Sequence, residues 1–149
     1  MPIFRLVDEF VDPAAERSVL AAVARDPSVY WRVLDIIPPG AFVVEHAAWE
    51  AVAASIEEES PLVAPSDWEP APDPYVAARR LADLLRRRLV AEAQERIGAA
   101  LFDTNQPATR VIDLMDEEAA RVQEAAGDDQ SGDLLWARSR RERRVAGRR

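Results

Sequence analysis

His46 is the only histidine in the chain, and neither cysteine nor lysine occurs. These facts remove most site chemistry at once. One imidazole cannot build a multi-histidine metal centre, and a Ser-His-Asp relay would have to use His46 as its base. No nucleophile is spaced to meet it. Without cysteine there are no disulfides, thiolate metal ligands or thiol nucleophiles. Without lysine the phosphate-cradling loop GxxxxGK[ST] cannot be written. The acid runs at 57–59 and 116–118 read as solvated helix faces rather than as an acid/base pair. The expectation is a protein that is not an enzyme, with no catalytic, cofactor-binding or metal-binding residue.

Arginine carries the remaining chemistry. Arg86, Arg87 and Arg88 span nearly one helical turn and so point in different directions. Solvated arginines pairing with Asp83 or Glu92 account for them as well as an interface does. The last 16 residues hold seven Arg and one acid. Trp136 with Arg138, Arg140, Arg141, Arg143 and Arg144 suits phosphate binding, the indole stacking on a base. A disordered solubilising tail is written with the same residues.

Helices must position these groups. Asp12-Pro13 is a helix start, since Asp caps free N–H groups and Pro fits the first helical position. Ala15, Val19, Ala22 and Val23 then share a face up to about Arg25. Asp26-Pro27 repeats the signal, and Tyr30, Val33, Leu34 and Ile37 form the next stripe, ended by Pro38-Pro39-Gly40. Phe42 reads as a plug into the core. From near Glu45, Trp49, Val52, Ala53 and Ile56 follow helical spacing. The three acids after it oppose the helix dipole and predict fraying.

Five prolines between 60 and 74 mark an extended linker, whose Trp68 folds back on the body or anchors a partner. Asp73-Pro74 starts a long helix in which Leu81, Leu85, Leu89, Ala93 and Ile97 form a ladder to about Leu101. Residues 103–107 supply a turn. Ala108, Val111, Ile112, Met115, Ala119 and Val122 form the apolar stripe of a last helix, stopped at Gly127. The fold class is therefore all-α: a helical body (1–59), a Pro-rich linker (60–74), a long antiparallel helical hairpin (75–127), and a polar linker with a disordered basic tail (128–149).

The 149 residues carry a net charge of −8, unevenly spread. Residues 1–78 have 14 acids and 4 Arg, net −10; the 16-residue tail is net +6. Only the tail can attract phosphate or an acidic partner. No N-terminal leader and no membrane span of about 20 apolar residues is written in the chain, which leads us to expect a cytoplasmic protein off the membrane.

The first three helices resemble the N-terminal domain of DnaB-type replicative helicases. That family opens on a pattern close to A-E-Q-x-V-L-G, and here Ala15-Glu16-Arg17-Ser18-Val19-Leu20-Ala21 stands in its place. Asp26-Pro27, Ile36-Ile37, Pro38-Pro39, Phe42 and His46 follow in the family's order. The Arg- and Leu-rich 84–88 and the Phe102-Asp103 break are similar to the family's hairpin, so the likeness covers about residues 10–126. It departs in lacking two short helices between the third helix and the hairpin, and in lacking the ATPase motor.

The resemblance implies an interaction protein of DNA replication. It would form a homo-oligomer, dimer or higher, like the helicase collar, and contact the replicative helicase, primase or a helicase loader. The hairpin's apolar stripe exceeds what a thin body can cover, which puts the expected pairing interface at Leu81, Leu85, Leu89, Ile97, Val111, Ile112, Met115 and Val122. Two rivals remain: a module like the helicase-binding domain of bacterial primases, and an accessory protein binding DNA through its Arg tail. A truncated relic without function of its own is a further alternative.

Overall fold

The computed structural model describes residues 9–61 and 67–126, and every regular element in that range is an α-helix. They are α1 (Pro13–Arg25), α2 (Ser28–Ile36), α3 (His46–Glu57), α4 (Pro74–Phe102) and α5 (Ala108–Ala126). The Gly127 stop, the tail residues Trp136 to Arg149 and the first eight residues lie outside the described range.

Two of the three Asp-Pro starts form as the sequence predicts. Asp12 accepts from the Ala15 N–H at 3.0 Å with Pro13 at the first helical position. Asp73 accepts from Tyr75 and Val76 with Pro74 behind it. Each satisfies N–H groups that the helix cannot. The third differs: Asp26 closes α1, and α2 begins at Ser28 with Pro27 as its cap. Asp26 then takes both the backbone N–H and the hydroxyl of Ser28.

The fraying expected after α3 is replaced by a defined end. Glu59 adopts a left-handed conformation, φ 55°. The Ser60 N–H reaches back to the Ser55 carbonyl at 2.8 Å and the Glu59 N–H to the Ile56 carbonyl at 3.3 Å. This Schellman closure satisfies late carbonyls, at the cost of a backbone region that favours glycine.

The core joins α1, α2, α3 and the first half of α4. Val19, Leu20 and Val23 of α1 meet Tyr30, Val33 and Ile37, the plug residue Phe42, Val52, and Ala78 and Leu81. Phe42 stacks on Trp49, ring centres 4.4 Å apart, and Tyr30 leans on the same indole at 5.4 Å. The linker is tied down as well. The Ala71 N–H donates to the Ser18 carbonyl at 3.0 Å, and Trp68 packs on the body with the Arg17 guanidinium above its ring. Trp68 thus folds back rather than facing outward.

Two charged side chains are built into this body. Glu16, 1% exposed, accepts from the backbone N–H groups of Val43 (2.7 Å) and Glu45 (3.1 Å), with Val44 at 3.4 Å. It therefore holds the loop that leads into α3. Buried Arg88 donates to the Phe10 carbonyl at 2.7 Å and the Gly40 carbonyl at 3.0 Å. Burial lowers the Arg88 pKa, while Glu16 and Glu92 nearby oppose that shift. One arginine of the 86–88 run is thus a structural pin. Arg87 is a surface partner of Asp83 at 2.8 Å.

Candidate functional site: the helical hairpin

The candidate site is a surface, the one that the helical hairpin presents. α4 is one 29-residue helix, about 43 Å at 1.5 Å per residue. Its buried residues Ala78, Leu81, Ala82, Leu84 and Leu85 lie in the part packed by α1 and α2, and among the described helices α5 runs beside the part from Arg86 onward. The turn is set by Asp103, which accepts from the Asn105 N–H at 3.2 Å, and by the Gln106 N–H bonded to the Asp103 carbonyl.

An ion cluster fixes how α5 lies on α4. Arg96 holds Glu118 with two parallel bonds of 2.8 Å, and Arg121 adds a third at 2.8 Å. The planar guanidinium fork matches both carboxylate oxygens, so the pair defines register as well as attraction. The Glu118 side chain is 1% exposed because these guanidiniums seal it, on a hairpin with little apolar depth. The bond from Arg96 holds its carboxyl below the usual range against the cost of burial, and Arg96 is raised in turn.

The cluster also rotates α5 relative to its apolar stripe. Leu114 and Glu118 turn toward α4, with Val111 and Val122 half-buried. Ile112, Met115 and Ala119 are left on the open side. Six residues beyond Arg96 and six before Glu118, the same antiparallel register places Phe102 level with Ile112. Phe102 is 83% exposed, and Leu101, Ile112 and Met115 are each more than half exposed. The hairpin end thus carries an apolar patch.

The eight residues assigned to pairing divide. Leu81 and Leu85 are buried within the chain's own body, so that surface is already covered. Leu89, Ile97, Val111 and Val122 are half-buried along the hairpin seam. Ile112 and Met115 remain free to meet a partner. Leu101 and Phe102 join them, although the sequence marks the first only as the end of the ladder and the second as the Phe-Asp break. Their exposure was concealed because nothing in a helical stripe tells how far the body reaches along it.

His46 stands exposed at the start of α3, 3.9 Å from Glu50. Among the described residues no group of three or more His, Cys, Asp or Glu side chains gathers as a metal site, and none of their helices is long and apolar enough to cross a membrane. The tail residues named for nucleic-acid contact, Trp136, Arg138, Arg140, Arg141, Arg143 and Arg144, lie outside the described range. Comparison of the chain with family models, with curated proteins and with solved structures finds no match.

Proposed function

We propose that the chain is a binding module of DNA replication that pairs through its hairpin, as a collar domain of a DnaB-type helicase does. On this reading it contacts a replicative helicase, a primase or a helicase loader. The observation that supports the reading is the apolar patch of Leu101, Phe102, Ile112 and Met115 at the hairpin end. An exposed apolar patch on a hairpin with so thin a seam fits a surface that another helix covers. The ordered motif from Ala15 to His46 points the partner toward the replication machinery. The setting would be cytoplasmic.

Co-elution of the purified full chain with its host's replicative helicase, and separately with primase, tests the proposal, with light scattering to give mass. A defined complex with either supports it. A well-folded protein that joins neither counts against it. The pairing step has its own check: Ile112→Glu with Met115→Glu should convert a dimer to a monomer of unchanged helix content. Retention of the dimer would remove the hairpin end from the interface. DNA binding that is salt-sensitive and disappears on deleting residues 134–149 would favour the Arg-tail reading instead.

A further inference from the structure

A second surface lies at the other end of the molecule. Between α2 and α3 runs a groove of about 480 Å³, whose accessible apolar side chains are Leu34, Pro39, Trp49 and Ala53, with Trp49 lying over the buried rings of Tyr30 and Phe42. Its rim carries Glu50 and Glu57. Glu57 accepts from the Tyr30 hydroxyl at 3.1 Å, so one acid is fixed beside these rings. Glu50 is largely exposed. Glu58 and Glu59 continue the acidic edge past the end of α3, where the helix's own carbonyls add negative charge. An apolar lining with an acidic rim fits a segment that offers an apolar residue followed by guanidiniums.

The chain carries such a segment. Leu134-Leu135-Trp136 is followed by Arg138, Arg140, Arg141, Arg143 and Arg144, so that residues 134–144 are net +4 while residues 1–78, which include the groove, are net −10. Where α5 ends makes the reach short. The Arg86 guanidinium approaches the Ala126 carbonyl at 3.5 Å, so α5 ends at the level of Arg86 on α4. Two residues on, Arg88 bonds the carbonyl of Gly40, on the groove's edge. Arg86 and Arg88 leave α4 on opposite sides, so the chain has to pass around a helix on the order of 10–12 Å across. Residues 127–133, extended, span about 24 Å.

We propose that this groove is the docking site of the chain's own C-terminal segment 134–144. Trp136 and its leucine neighbours lie against Trp49 and Leu34, and the arginines run along Glu50, Glu57 and the acidic end of α3. The docked segment withholds its arginines from other anions, so an outside phosphate backbone must compete with the groove for them.

The absence of cysteine allows a direct test on the full chain. Ser139→Cys carrying a nitroxide label should bleach the amide signals of Gly40, Ala41 and residues 49–53 in the nitrogen-15 NMR spectrum; Pro38 and Pro39 have no amide proton. The loss should not depend on protein concentration, and the amides of the hairpin end should be spared. Glu50→Arg, a change at an exposed position that leaves the fold intact, and separately Trp136→Ser, should restore the bleached signals. Three outcomes overturn the proposal. One is no bleaching in the groove. Another is bleaching only when labelled and isotope-enriched chains are mixed, which assigns the groove to a second copy. The last is bleaching spread over every acidic surface and indifferent to Trp136→Ser.

Discussion

Replacing Glu16 by Ala tests whether the acid of the Ala15-Glu16 motif serves the fold. Its carboxylate takes two well-formed backbone bonds, from Val43 at 2.7 Å and Glu45 at 3.1 Å, and a weaker one from Val44. Hydrogen bonds to a charged group contribute about 1.5–3 kcal/mol each, and a donor left without its partner adds a penalty. Val43 and Val44 sit partly in water, so their N–H groups recover some solvation after truncation. Taking the two good bonds at the low end gives a loss of about 3 kcal/mol. For a chain of this size that lowers the melting temperature by roughly 10 °C. Thermal melts of the full chain followed by far-ultraviolet circular dichroism measure it. Glu16→Gln, which keeps one acceptor oxygen, should fall between the parent and Glu16→Ala. Glu124→Gln, at an exposed acid on α5, serves as the control. A Glu16→Ala melt within about 2 °C of the parent would show that the loop before α3 holds itself, and would refute the assignment.

Three further outcomes follow from the same contacts. Glu59→Gly removes the side chain from a left-handed position and should stabilise the protein by about 1 kcal/mol, read as a raised denaturant midpoint. Arg88→Lys cannot reach the Phe10 and Gly40 carbonyls together and should destabilise by about 2 kcal/mol, whereas Arg87→Lys should leave the melt unchanged. Acid stability should depend on two carboxylates held below their ordinary range, Asp12 by the hydrogen bond from Arg80 and Glu118 by Arg96. A lowered folded-state pKa supplies stability above the unfolded value, near pH 4, and loses it as pH falls through the folded value. Asp12→Asn and Glu118→Gln should each therefore flatten the decline of melting temperature below about pH 4.

Local signals in the sequence carried most of the fold. The caps at Asp12 and Asp73, the break at Pro38-Pro39-Gly40 and the plug at Phe42 each depend on residues close together in the chain. What was not legible came from distance. Leu81, Leu85, Leu89 and Ile97 are equivalent in a ladder, yet the body reaches only the first two. Glu16 and Glu118 are acids, whose default place is solvent; both are buried, because one meets a loop 27 residues away and the other an arginine on another helix. The inward turn of Glu118 carries Ile112 and Met115 outward, so the residue that sets the hairpin register also decides which side chains of the α5 stripe stay open.

The unbroken course of α4 gives the molecule a lever. Leu85 is seated in the body and Phe102 stands at the free end, 17 residues on, or about 26 Å along one rigid axis. A 10° tilt at the seat would sweep the far end through roughly 4–5 Å, close to one helical turn. A partner gripping Phe102 would feel so small a tilt as a displacement large enough to change which of its own residues it presents.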